Sequence, residues 1–191
     1  GTESVNLAIL GAAGVVEKDN FFAAKKPHII TATTEHKAVL SPVQSLENAG
    51  WDVTYLPVSP DGQISLNEFS KALRKETALV SIMYANNEIG TINRIRDIGR
   101  EIIKWRKKSK FRWPVFHTDA CQAAAYLDLS VDKLHVDLLS LNCSKIYGPK
   151  SSGLLYKRRG VGIRPILFGG GQEFGIRAGT EDVGGSVGLA K

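Results

Sequence analysis

The chain has 191 residues, 43% hydrophobic and 23% charged, a globular balance that supports one substantial core and excludes a disordered or fibrous polymer. No apolar run approaches the roughly 20 residues that cross a bilayer, and no basic start leads into an apolar core, so the chain reads as soluble and cytoplasmic, with no membrane partner. The formal charge is +6, but the densest basic run, "KWRKKSKFR" from Lys104 to Arg112, closes an amphipathic segment bearing Ile98, Ile102, Ile103 and Trp105; it reads as the solvated end of a helix, which makes nucleic acid an unlikely partner.

In chain order, "GTESVNLAIL" fits an N-capped helix, with Thr2 in its first turn. The following "GAAG" has only G-x-x-G spacing, short of the dinucleotide fingerprint, which disfavours a dehydrogenase. "HIITATT" (28–34) and "DVTYLPV" (52–58) are β-branched strands, and between them Val39, Val43 and Leu46 recur at helical spacing before Gly50, completing a β-α-β unit. Ser65 with Glu68 three residues on is a capping box that opens another helix. "ALVSIMYA" (78–85) is continuous and apolar, as a strand buried on both faces is. A helix over 94–108, a strand "WPVFHTDA", a short helical piece at 131–136, and the strands "VDLLSLNC" and "SGLLYKR" follow. "GGGQEFG" (169–175) lacks the Lys-Ser/Thr ending of a P-loop and reads as a connection or subunit contact. "VGGSVGLAK" reads as the first turns of a helix.

This alternation predicts an α/β fold, three layers with a mostly parallel mixed sheet covered on both faces. Ligands of such sheets bind beyond the carboxyl ends of the strands. Four strands end there in polar residues: Glu35 and His36, Asn86 and Asn87, Asp119 and Gln122, Ser144 and Lys145. Together they suggest one shared site. Cys121 and Cys143 form no metal-ligand or disulfide pattern and read as small buried hydrophobes; no metal is expected.

A surface ion pair is the plain reading of one Asp and one Lys. It weakens here because both follow apolar strands directly. A lysine amine lowered by burial can form a Schiff base with an aldehyde cofactor, while an aspartate holds a pyridine nitrogen protonated; that pairing is pyridoxal-phosphate chemistry. His36 can stack on a planar ring, and Asn87 and Gln122 can donate to its phenolic oxygen. Singly, His36 reads equally as a cap and Asn87 as a turn former. Thr2, at a helix start, and Ser144 offer hydroxyls to a phosphate.

The stretches "GTESVNLAI", "TTEHKAVL", "SIMYANNEIGTI", "FHTDACQA", "SKIYGPKSSGLLY" and "GGGQEFGIRAGTEDV" resemble, in order and spacing, the cysteine desulfurases and selenocysteine lyases of the class V aminotransferase-like enzymes. The resemblance implies residues 1–191 as the cofactor-binding large domain of a fold-type I pyridoxal-phosphate enzyme, incomplete at both ends. It implies Lys145 as the Schiff-base lysine, Asp119 as partner of the pyridine nitrogen, and His36 on the ring. Asn87 and Gln122 would contact the phenolic oxygen or position the substrate side. Thr2, Asn142 and Ser144 would stand at phosphate-binding positions, and Thr180 would reach the phosphate of a neighbouring subunit in a homodimer. The implied reaction takes sulfur from L-cysteine, leaving L-alanine and a persulfide on an enzyme cysteine, for delivery to an acceptor or scaffold protein in iron–sulfur cluster assembly or tRNA thiolation. Selenocysteine lyase, another class V aminotransferase and an inactive scaffold are the alternatives. Ser144 replaces the family's usual His, Asn142 its frequent Ser, and Cys121 its usual Thr or Ala. The sulfur-accepting cysteine and a carboxylate-binding arginine are expected beyond Lys191, so the piece alone is expected to bind cofactor weakly and to be inactive.

Overall fold

The computed structural model describes residues 1–18, 22 and 25–191. Helix α1 (Thr2–Lys18) precedes β1 (His28–Ala32), α2 (Lys37–Asn48), β2 (Asp52–Leu56), α3 (Leu66–Ala72) and β3 (Thr77–Ser81). Then come α4 (Ile95–Ser109), β4 (Val115–Asp119), α5 (Val131–Leu134), β5 (Leu138–Asn142), β6 (Gly153–Lys157) and α6 (Val183–Ala190). The six strands form one sheet ordered β2-β1-β3-β4-β5-β6, parallel throughout except for the antiparallel pair β5–β6. The expected three-layer, mostly parallel mixed sheet is what forms.

Alternation along each central strand builds two cores. Ile29, Leu79, Val115 and Leu138 face α1 and α2, where Val5, Ile9, Val16, Val39 and Val43 pack on them. Ile30, Val80, Phe116 and Leu139 face the other way, onto Phe69 of α3, Ile98 and Ile102 of α4 and Leu134 of α5. Each fully buried aliphatic or aromatic side chain contributes about 1.5–3 kcal/mol, so the two faces together account for the sheet's burial between helices.

The "GAAG" stretch lies inside α1, as helical spacing requires. A Cβ on Gly11 would stand 2.7 Å from the Arg164 carbonyl, so this glycine serves close packing of the 164 segment rather than a nucleotide. Ser65 caps α3 by accepting the Glu68 N–H at 3.4 Å. The third strand is shorter than the apolar run: β3 ends at Ser81, while the Ile82 and Tyr84 N–H groups still donate to the His117 and Asp119 carbonyls. The chain then turns because the Asn86 Oδ1 accepts the Glu88 and Ile89 N–H groups at 2.8 and 3.0 Å.

In the basic run at the end of α4, Arg106 bonds Asp137 and the Pro114 carbonyl, and Lys104 pairs with Glu101. No helix among the described residues is long and apolar enough to cross a membrane.

Candidate active site

Beyond the carboxyl ends of β1, β3, β4 and β5 lies an open cleft. Its walls include Thr2, His36, Asn87, Asp119, Gln122, Asn142 and Lys145. Seven of the nine residues expected from the sequence therefore converge on one cleft; Ser144 and Thr180 do not line it.

Each wall has a local cause. Thr2 opens α1, whose first N–H groups have no partner within the helix and carry its positive dipole end. His36 is the N-cap of α2: its Nδ1 accepts the Ala38 N–H at 3.0 Å, which leaves the ring's proton on Nε2. The cap reading holds, and the cap fixes the ring beside the cleft. Asn87 sits on the turn made by Asn86, whose Nδ2 also donates to the Thr34 carbonyl at 3.0 Å, joining the loops after β1 and β3.

Asp119 ends β4 at 7% exposure. Its Oδ1 accepts the Cys121 N–H at 3.0 Å, and it forms no ion pair among the described residues. Cys121 corrects the sequence reading: it is half-buried and lines the cleft rather than the core. Burial first, then the adjacent Asp119 carboxylate, push its thiol well above the ordinary range, so it stays protonated. Cys143 is fully buried, as expected.

Lys145 rides on a 3-10 turn, Cys143–Ile146, that directly follows β5. Asn142 caps the turn, its Oδ1 accepting the Ser144 N–H at 3.1 Å and the Ser144 hydroxyl at 2.9 Å. The turn is pinned by the Cys143 N–H to the Ser152 carbonyl and by the Gly148 N–H to the Cys143 carbonyl, each at 3.0 Å. Two corrections follow. Lys145 is exposed at the cleft rather than buried, and Ser144 points its hydroxyl into the cap instead of lining the cleft. Thr180 is exposed, beyond the glycine-rich segment, where the Gln172 Oε1 accepts the Gly179 N–H at 3.2 Å.

Sequence reasoning named Glu35 only as part of the polar edge. It is 5% exposed, its Oε1 accepts the Met83 N–H at 2.7 Å, and its Oε2 is buried with no hydrogen-bond partner. Burial, reinforced by the Asp119 charge, raises its carboxyl well above the usual range. Met83, Ala85 and Gly1 also line the cleft and carried no signal in the sequence, since apolar and backbone walls look like any others.

The arrangement joins a buried carboxylate and an amine, neither ion-paired among the described residues, with a fixed imidazole and a helix N-terminus around one opening. The family model for aminotransferase class-V matches residues 1–191. The cysteine desulfurase IscS of Dictyoglomus turgidum is 47% identical over 191 residues, all of this chain and 45% of that protein. Among solved structures, a NifS-like protein superposes with a TM-score of 0.89 at 43% identity, covering 99% of this chain and 49% of that one. SspA, solved in complex with cysteine, gives 0.88 at 41% identity, over 98% and 51%. The chain spans about half the length of the relatives it matches.

Proposed function

Because the chain belongs to the class-V aminotransferase family, we propose that it is the cofactor-binding part of a pyridoxal-phosphate-dependent cysteine desulfurase acting on L-cysteine. The observation that carries this reading is the convergence of Asp119, Lys145, His36, Asn87 and Gln122 on one cleft beside the start of α1.

The donor set fits the cofactor. Asp119 is a nearly buried carboxylate with no cation paired to it among the described residues, which suits a protonated ring nitrogen. The α1 N-terminus and the Thr2 hydroxyl suit a phosphate. When bound, pyridoxal phosphate supplies an aldehyde carbon that amines attack and a ring that accepts electrons. This chain's residues do the rest. Asp119 would hold the proton of the ring nitrogen, the Lys145 amine would hold the cofactor and move protons, and His36 would support the ring. Asn87 and Gln122 would bond the phenolic oxygen, while Asn142 and Ser144 brace the lysine turn. Thr180 reaches the phosphate of a second subunit in a homodimer. SspA bears cysteine in its structure, which supports L-cysteine as the substrate here.

Neither cysteine of this piece takes the sulfur. The Cys121 thiol is held protonated beside Asp119, and Cys143 is fully buried. The acceptor cysteine therefore belongs to the rest of the full-length cytoplasmic protein, which passes the sulfur to a further acceptor or scaffold protein for iron–sulfur cluster assembly or tRNA thiolation.

The test is spectroscopic. Purified full-length protein mixed with pyridoxal phosphate develops a visible absorption band that Lys145→Ala abolishes, and, with dithiothreitol added as the two-electron reductant, it releases alanine and sulfide from L-cysteine faster than alanine and selenide from L-selenocysteine. A wild-type protein without the band, or a band that survives Lys145→Ala, overturns the cofactor assignment. A preference for selenocysteine makes it a lyase instead.

A further inference from the structure

The cleft has a second polar layer beneath it. Met83, Asp119 and Asn142 line the opening on the paths of β3, β4 and β5. Side chains alternate along an extended strand, so the residue two positions earlier lies on the same face, one layer down. On these three paths that residue is Ser81, His117 and Ser140, each 0% exposed. The three are joined: His117 Nδ1 stands 2.8 Å from Ser81 Oγ, and Nε2 stands 3.0 Å from Ser140 Oγ. Sheet register pairs Ser81 with His117 and Asp119 with Ser140, so the imidazole braces both neighbours of β4 just below the carboxylate. The chemistry proposed above makes no use of His117.

We infer that His117 is a positioning residue for Asp119: by tying Ser81 on one side and Ser140 on the other, it fixes where the Asp119 carboxylate stands in the cleft. The inference rests on the cofactor reading for its ligand. Both ring nitrogens are spent within the layer, so the imidazole offers no hydrogen bond that would turn Asp119 away from the opening. Burial pushes His117 down to about 4 against the pull of the Asp119 charge, and a neutral ring does not pair with the carboxylate. The negative charge stays available to a cation entering the cleft.

The test uses the full-length protein and His117→Phe, which keeps an aromatic ring and removes both hydrogen bonds. Dissociation constants are measured for pyridoxal phosphate and for its 1-deaza analogue, whose ring lacks the nitrogen that Asp119 holds. The variant is expected to lose about tenfold in affinity for pyridoxal phosphate and nothing for the analogue, with no further loss in an Asp119→Ala background. Ser140→Ala, a milder change that keeps the fold should His117→Phe not fold, gives the same pattern at about threefold. Equal losses for both ligands, no loss for either, or an undiminished loss in the Asp119→Ala background overturns the inference and leaves His117 a brace of the fold. If the wild type binds no pyridoxal phosphate, the cofactor reading has failed on its own, and the ligand-free protein decides. A crystal structure of the ligand-free variant then shows the Asp119 carboxylate displaced from its wild-type position. An unmoved carboxylate overturns the inference.

Discussion

The two ends of the sheet use the same kinds of side chain in opposite ways. At the amino end, Asp137 is 4% exposed, bonds Arg106, lies 3.9 Å from Arg158 and accepts the Phe116 N–H at 2.8 Å. At the carboxyl end, Asp119 is nearly as deep but has one backbone amide donor and no cation among the described residues. Histidines repeat the comparison. His28 joins Thr77 and Thr54 across β3, β1 and β2 at 2.9 and 2.8 Å, as His117 joins Ser81 and Ser140. Beside His28 the surface is closed by the Arg74–Asp52 and Lys25–Glu76 pairs, whereas above His117 the sheet opens into the cleft. Buried charges whose partners the chain supplies serve the fold; a buried carboxylate left short of a cation at a cleft marks where a ligand can enter.

The comparison breaks most sharply at the two aspartates. Asp137→Ala strands Arg106 and the Phe116 N–H and is expected to cost about 3–5 kcal/mol, read as a lower urea midpoint. Asp119→Ala removes no such pair and is expected to leave that midpoint unchanged or higher while weakening pyridoxal-phosphate binding. Equal destabilisation at both positions would erase the distinction between the ends.

Acid sensitivity comes next. His28 and His117 titrate near 6.5 when unfolded and are pushed to about 4 when folded, chiefly by burial, so the unfolded chain binds the extra protons. Their contribution to stability is complete above the unfolded value and lost as pH falls toward the folded one. For His117 it amounts to about 3 kcal/mol. Unfolding measured against pH should show a falling acid limb that His28→Phe and His117→Phe each flatten; a limb indifferent to both belongs to other groups.

Glu35 sharpens the carboxyl-end case with the opposite sign. Its folded pKa is raised above the usual 4.5, mainly by burial, so its stabilising protonated form is complete below that value and lost as pH rises. Glu35→Gln keeps an acceptor for the Met83 N–H and cannot ionise, so at pH 8 it is expected to raise the thermal midpoint by about 3 °C. A drop would mean that the carboxylate form is the one the fold holds. The smallest effect is on the surface, where Arg177→Ala breaks the exposed 2.7 Å pair with Glu3 and should change stability by about 0.5 kcal/mol or less.

The sheet and most of the cleft were legible because apolar strands stopping in Glu35-His36, Asn86-Asn87, Asp119 and Lys145 leave a pattern that periodicity exposes. The layer beneath was not. Ser81, His117 and Ser140 are far apart in sequence and look like ordinary strand residues until strand order and register set them side by side. The exposure of Lys145 and the inward cap of Ser144 depended on a 3-10 turn that the mixed stretch Cys143–Ile146 does not announce. Cys121 reads as core from its neighbours, yet it follows Asp119 around the strand end and into the cleft wall.

The antiparallel return of β6 holds the lysine on a short tether. Parallel neighbours are linked by long crossovers, as from Ser81 to Val115, whereas β5 and β6 meet across Asn142 and Gly153, and Lys145 lies inside that short closure. Because the Ser152 carbonyl and the Gly148 N–H pin the turn, an insertion or deletion between Ile146 and Ser152 would shift the amine without disturbing the crossover of any parallel strand. The placement of the reactive arm thus depends on its own closure and not on the frame that carries it.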